Sequence, residues 1–294
     1  MFGMLALFEG YIQSHRLIGR IKPDVVVGFG GYPSAPPIFA AQHRFIPTIL
    51  HEQNAILGMA NALLAPCAKV LALSVEETSG LKPAWRKKIK VTGNPVRHDI
   101  AELAGSGYPD LTGKINLMIV GGSQGAKAFA DILPYAIIDL PQSIRDKLAI
   151  RHQCRADDLE KVKAVYSEAG MDVDVRAFFH NMAECIRETH LMITRSGAST
   201  VAELTVAGRP AIYIPFPWNR DNQQQFNAEQ VEKAGGGIVV KEADLSRTTF
   251  TGILVELLEN PAKLAQMAEA SAKLGVVDAA DRLAKITMAL GKPE

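Results

Sequence analysis

The sequence predicts an α/β protein made of two Rossmann-like halves, each built on a parallel sheet. Three observations carry this reading. Short apolar runs alternate with stretches of helical periodicity along almost the whole chain, which is the pattern of βαβ units. A turn-rich stretch from Gly93 to Gly113, holding GNPVR and GSGYPDLTGK, interrupts the alternation near residue 100. Four of the apolar runs end in glycines or clustered polar residues, at the strand ends where open α/β sheets place their ligands.

Taken in order, Leu5, Phe8, Ile12 and Ile18 recur at roughly helical spacing and predict an amphipathic helix over 4–20, ended before Pro23. DVVVG (24–28) reads as a buried strand followed by a glycine turn. A helix near 35–44, the strand PTILH (47–51), a helix over 55–65 and the strand KVLAL (69–73) follow. Beyond the turn-rich stretch, INLMIV (115–120) leads to a helix near 124–137. LAIRHQ (148–153) leads to a helix over 156–169, and VDVRAF follows. LMIT (191–194) leads to a helix over 199–207, and AIYIP (211–215) to one over 222–234. Helices over 246–258, 261–273 and 278–290 close the chain. The expected division is a first domain over 1–93 and a second over 94–275, with the last segment, 276–294, packing back on the first.

Composition narrows the function. A chain of 294 residues, 48% hydrophobic and 21% charged, can bury a full core. Lys+Arg 32 against Asp+Glu 31 argues against a general nucleic-acid binder. Cys67, Cys154 and Cys185 suggest neither a disulfide framework nor a zinc knuckle, and fit a reducing compartment. The opening MFGMLALFEGYIQSHRLIGR lacks a basic n-region and a small-residue cleavage site, and Glu9 interrupts its apolar run. It reads as neither a signal peptide nor a membrane span.

The four strand ends admit competing readings. Gly28-Phe29-Gly30-Gly31-Tyr32-Pro33 starts like a dinucleotide fingerprint, and Glu52 falls 24 residues after Gly28. The third glycine position is Pro33, however, so the usual close approach of helix and strand is not expected there. LHEQNA (50–55) crowds His51, Glu52 and Asn54 at an apolar strand end, a costly placement unless they meet solvent or a ligand. Gly121-Gly122-Ser123-Gln124-Gly125 fits the nucleophile elbow G-x-S-x-G. It equally fits a glycine-rich turn whose amides hold an anion at a helix start. His152, His180 and His190 lie downstream, but none sits in a convincing acid–histidine pairing. RSGASTVAEL (195–204) offers a cation, hydroxyls and amides at a helix start, with Glu203 one turn in; a plain helix cap at Ser196 or Ser199 would explain the serines alone. Asp221 to Gln225 then concentrate side chains suited to sugar hydroxyls.

In that order, HEQNA, GNPVR, GGSQGA, RSGASTVAE and the PF…DNQQ…NA segment resemble the bacterial UDP-N-acetylglucosamine:lipid I N-acetylglucosaminyltransferases of peptidoglycan synthesis. The likeness runs from the first helix to the last. It implies a GT-B fold, two Rossmann-like domains with parallel sheets facing a cleft. The implied activity is inverting transfer of GlcNAc to the 4-hydroxyl of the muramoyl sugar of lipid I, within cell-wall growth, cell shape and division. The resemblance places Asn54, Arg97, Ser123, the Phe179 backbone, Arg195, Ser196, Ala198, Ser199, Thr200, Val201, Ala202, Glu203, Gln223 and Gln224 at the donor. Ser123 is then a ligand-binding serine. Gly28, Gly30 and Gly31 are expected at the acceptor pyrophosphate.

The family's GGTGGH loop, which carries a favoured catalytic base, does not occur in the 294 residues. The N-terminal domain is therefore expected to be truncated, which leaves His51 and Glu52 as candidate bases and points to donor binding with little transfer. Rival readings are a non-catalytic UDP-sugar-binding relative and a GT-B enzyme acting on another lipid acceptor. No cofactor and no metal are expected. The expected partners are UDP-GlcNAc, lipid I and an anionic membrane surface, with no nucleic acid. The expected location is peripheral, on the cytoplasmic face of the plasma membrane, with Leu5, Leu7, Phe8 and Tyr11 of the first helix as the contact.

Overall fold

Parallel strands have no hairpin to join them, so each must be covered by crossover helices and reads as an apolar run. A computed structural model of the chain describes residues 2–122, 126–217 and 222–291 and divides into two compact units, 1–95 with 276–294, and 96–275. The first unit runs α1 (Phe2–Ile21), β1 (Val26–Gly28), α2 (Ala35–His43), β2 (Thr48–Glu52), α3 (Met59–Leu64), β3 (Val70–Leu73) and β4 (Ile89–Val91). Its four strands are parallel in the order β1-β2-β3-β4.

The second unit runs α4 (His98–Ala101), β5 (Ile115–Val120), α5 (Lys127–Ile138), α6 (Gln142–Arg145), β6 (Leu148–Gln153), α7 (Leu159–Glu168), β7 (Asp174–Arg176), α8 (Met182–Glu188), β8 (Leu191–Thr194), α9 (Ala198–Ala207), β9 (Ala211–Tyr213), α10 (Gln223–Lys233), β10 (Gly237–Val239), α11 (Arg247–Leu258) and α12 (Pro261–Ala272). Its parallel sheet has the order β10-β9-β8-β5-β6-β7. The last helix, α13 (Ala279–Leu290), belongs to the first unit.

Period-2 alternation builds the cores on either side of each sheet. In β2, Leu50 packs with Ile38, Leu64 and Leu71, while Ile49 faces the other way with Val70, Ala72 and Leu283 of α13. In β5, Leu117 and Ile119 join the layer of α5, α7, α11 and α12, and Met118 joins that of α8 and α9. Buried Arg209 staples the second unit. Its guanidinium donates to the carbonyls of Gly107, Ile186, Arg187 and Ala207, so carbonyls at the ends of α8 and α9 find a partner. Burial lowers its pKa to about 10.

The structure corrects several expectations. The edge strands β4 and β10 and the helix α8 are absent from the pattern read in the sequence. The helix expected over 55–65 starts only at Met59, because residues 53–58 form a loop. Helix and strand do approach closely at the first glycine turn. A Cβ on Gly28 would lie 2.6 Å from Ile38 of α2, so Gly28 itself supplies the contact that Pro33 was expected to forbid. In α1, Ile18 is buried whereas Leu5, Leu7 and Phe8 are exposed. No helix among the described residues is long and apolar enough to cross a membrane.

Candidate functional site

In the second unit, the carboxyl ends of β5, β6 and β8 open into a cavity of about 270 Å³, lined by Arg97, Gly122, Phe178, Phe179, Thr200 and Glu203 among others. Val120 pairs with both Gln153 and Thr194, so these three strand ends stand side by side at the cavity floor. The loop after β7 forms one wall. Gln153 Nε2 donates to the Ala177 carbonyl and fixes that loop. Phe179 turns its ring into the core while Phe178 stays exposed, its ring against His180 with 4.8 Å between centroids. Phe179 and Phe178 both line the cavity.

The opposite wall is the start of α9. Its N-cap is Gly197, and no side chain caps the first turn. Ser196 is not the cap: its Oγ donates to the Gln224 carbonyl at 2.8 Å. The uncapped amides carry the positive end of the helix dipole and can receive an anion. Glu203 sits one turn further on and accepts from Arg97 Nε at 3.2 Å. Burial pushes the Glu203 carboxyl above its ordinary value, with Arg97 pulling it back down.

Of the residues expected at the donor, Arg195 and Gln224, like Ser196, are engaged elsewhere. Arg195 donates from Nη1 to the Ile214 and Pro215 carbonyls, pairs through Nη2 with Glu242, and lies against the rings of Phe129 and Phe216. It is a strut between α5, the end of β9 and the segment after it. Gln224 Oε1 accepts from the backbone N–H of Ser196 and of Phe216, and Asn227 Nδ2 donates to the Ser196 carbonyl. These contacts tie α10 to the turn before α9. Gln223, at the first position of α10, is half-buried, and its side chain makes no hydrogen bond among the described residues. Along the first turns of α9, Ser199 is exposed and Ala198, Val201 and Ala202 are partly exposed. Ser123 lies outside the described residues, as does Asp221.

In the first unit, the end of β2 sends His51 and Glu52 to opposite faces, as adjacent strand residues must go. They form no acid–histidine pair. The Glu52 carboxylate accepts from Asn54 N at 3.0 Å, Asn54 Nδ2 at 3.2 Å, Gly58 N at 2.9 Å and Asn61 Nδ2 at 2.8 Å. The carboxylate thereby organises the 53–58 loop and the start of α3. His51 is buried and donates from Nε2 to the Gly93 carbonyl at 3.0 Å, which fixes the tautomer and leaves Nδ1 as the basic atom. Nδ1 is buried without a partner among the described residues. Burial lowers the His51 pKa, against the raising effects of the Gly93 bond and the Glu52 charge. The Phe29 ring lies 5.5 Å from the His51 ring.

The backbone after Gly28 takes left-handed conformations at Gly30 (φ 75°) and Gly31 (φ 73°), open to glycine without strain. Asn61 lies against Gly30 and beneath Glu52. Sequence reasoning missed it, although an asparagine buried in the apolar helix MANALL was the available signal. Gly58, Gly93, Gln153 and Glu242 were missed too, because each acts through its backbone or through a partner distant in sequence.

Two α/β units on parallel sheets, the second doubly wound with a cavity at its strand ends, form a GT-B fold, and the family that the chain matches makes it a glycosyltransferase. Residues 116–283 match the glycosyltransferase family 28 C-terminal domain and residues 1–72 the family 28 N-terminal domain, and the chain belongs to this family. It is 42% identical over 293 residues to a UDP-N-acetylglucosamine–N-acetylmuramyl-(pentapeptide) pyrophosphoryl-undecaprenol N-acetylglucosamine transferase of Chelativorans sp. (strain BNC1), covering 99% of this chain and 77% of that protein. The crystal structure of MurG from Acinetobacter baumannii superimposes with a TM-score of 0.81 at 29% identity, covering 97% of this chain and 80% of that one. A UDP-GlcNAc 2-epimerase from Neisseria meningitidis, bound to UDP-GlcNAc, shares the fold with a TM-score of 0.71 at 14% identity, covering 98% and 82%.

Proposed function

We propose that this chain transfers GlcNAc from UDP-GlcNAc to the 4-hydroxyl of the muramoyl sugar of lipid I, releasing UDP and forming lipid II. The observation that carries this reading is the 42% identity, sustained over 99% of the chain, to a transferase named for that reaction. A non-catalytic binder and another lipid acceptor are less well supported, since the likeness extends through both units. In this reading residues 94–275 form the donor domain, and 1–93 with the helix in 276–294 form the acceptor side.

The acceptor oxygen attacks C1 of GlcNAc as the bond to the diphosphate breaks, inverting that carbon. A base takes the hydroxyl proton as the new bond forms. Within this chain His51 is the better candidate: its Nε2 is committed as a donor to Gly93, and its basic Nδ1, buried here, has to be uncovered to meet the hydroxyl. Glu52 is a positioning residue whose oxygens are filled by the loop it holds. The departing diphosphate is stabilised by the uncapped amides of α9 and the helix dipole, aided by Arg97. Glu203 takes the ribose hydroxyls, the Phe179 backbone faces the base, and Gln223 is aligned for a sugar hydroxyl. Arg195 and Gln224 act one layer back, holding the turn that carries Ser196. The left-handed turn at Gly30 and Gly31 presents amides to the acceptor pyrophosphate.

The lipid acceptor asks for a membrane contact. Leu5, Leu7 and Phe8 are exposed on α1, with Arg16 and Arg20 exposed further along the same helix. Apolar contact with basic residues near anionic headgroups gives reversible, peripheral binding, here assigned to the cytoplasmic face. Sedimentation with anionic vesicles should fall in high salt and in a Leu7→Glu/Phe8→Glu variant; no binding at low salt removes this part. Calorimetric titration tests the donor assignment. UDP-GlcNAc should bind at one site and be displaced by UDP, and the absence of binding would sink the reading.

A further inference from the structure

One turn of the first unit lies over two buried hydrogen-bond acceptors. Beyond β1 the chain passes the end of β2, with the Phe29 ring against His51 and Gly30 against Asn61. His51 Nδ1 and Asn61 Oδ1 are both buried and unpartnered among the described residues. The other nitrogens of the same side chains are engaged, His51 Nε2 with the Gly93 carbonyl and Asn61 Nδ2 with the Glu52 carboxylate. His51 is wholly buried, whereas Phe29, its ring 5.5 Å away, is 50% exposed.

Buried acceptors without donors are costly, so the arrangement calls for donors that a ligand brings. The turn above them is built to let those donors in. Its start is anchored, because a Cβ on Gly28 would lie 2.6 Å from Ile38. Gly30 (φ 75°) and Gly31 (φ 73°) follow Phe29, and glycine changes the sign of φ at little cost, so the ring can swing aside while β1 stays in place. Were water to reach Nδ1 as freely as the acceptor, its oxygen would add to C1 of GlcNAc, its proton would pass to Nδ1 and UDP would leave. That is hydrolysis of the donor, the side reaction that a closed site prevents.

We infer that Phe29 is a positioning residue that sets the choice between sugar and water: its ring shields His51 Nδ1 from solvent and gives way to the acceptor hydroxyl. This rests on the reading of His51 as the base. The shield itself is testable without any turnover, through the access and titration of His51. Burial lowers the His51 pKa, while the Gly93 bond and the Glu52 charge raise it. Phe29 carries no charge, so its removal changes the hydration of the imidazole and leaves those two partners in place.

Wild type, Phe29→Ala and Phe29→Leu are treated with diethyl pyrocarbonate, which acylates an unprotonated imidazole nitrogen that it can reach, and the modified peptides are quantified. The chain has seven histidines, and His51→Gln identifies the His51 resonance in a parallel NMR titration. In Phe29→Ala, His51 should react about tenfold or more faster, and its pKa should rise towards the ordinary histidine value. Phe29→Leu, which keeps a smaller apolar cover, should fall between the two. Free GlcNAc should also form from UDP-GlcNAc without acceptor about tenfold or more faster in Phe29→Ala than in wild type. A His51 that reacts and titrates alike in wild type and Phe29→Ala overturns the shield. Faster modification with no gain in hydrolysis overturns instead the reading of His51 as the base, and the role of Phe29 in the transfer with it.

Discussion

Two glutamates at strand-end sites in the two units are held in opposite ways. Glu52, at the end of β2, takes four donors from Asn54, Gly58 and Asn61, all within a few residues along the chain. Glu203, on α9, takes one donor from an exposed arginine 106 residues away in sequence. The first carboxylate is saturated by its own loop and builds the site's shape. The second is held lightly by a partner that can leave. Glu52 is buried and Glu203 only half-buried, and the number and origin of their donors separate them further.

That contrast is broken most severely at Glu52. Glu52→Ala leaves the amides of Asn54 and Gly58 and the Asn61 side chain without their shared acceptor, and should cost about 2–4 kcal/mol of stability as several charge-assisted bonds are lost together. Glu52→Gln keeps an acceptor oxygen for half of these donors and should recover part of the loss. The transition midpoint in urea, read for both variants, checks it. A Glu52→Ala chain as stable as wild type would show that the loop does not depend on the carboxylate.

Glu203→Ala should do the reverse. Its stability effect should stay within about 0.5 kcal/mol, since the pair it breaks is largely exposed at the arginine end. Its donor binding should fall about ten- to a hundredfold, the value of a bond to a charged acceptor. Calorimetry with UDP-GlcNAc and a urea transition on the same variant separate the two effects. Unchanged affinity would remove Glu203 from the donor site.

Much of this organisation was legible in the sequence, and the exceptions have physical reasons. INLMIV and LMIT were read at the residues where β5 and β8 form, because central parallel strands are mostly apolar runs, and LAIRHQ where β6 forms, from its apolar start Leu148-Ala149-Ile150. β4 and β10 are three-residue edge strands, and in Ile89-Lys90-Val91 the exposed face admits a lysine, so no such run exists. At the site, residue types pointed to strand ends but could not say what each side chain does there. Arg195 looks like a phosphate ligand in RSGAST, yet its partners are the carbonyls of Ile214 and Pro215 and the carboxylate of Glu242. Gln224 looks like its neighbour Gln223, yet its oxygen serves two backbone amides. One position along a helix changes the direction of a side chain by about 100°, and this separates a residue free to meet a ligand from one that holds a loop.

Transfer of GlcNAc onto lipid I by the 294-residue chain is the most direct test. UDP-GlcNAc labelled in the sugar is incubated with lipid I in detergent micelles, and the products are separated and identified. The expected result is a labelled disaccharide lipid, with one UDP released per sugar transferred and inverted configuration at C1. Free GlcNAc, a C2-epimerised sugar, or unconsumed donor in the presence of acceptor would contradict the assignment.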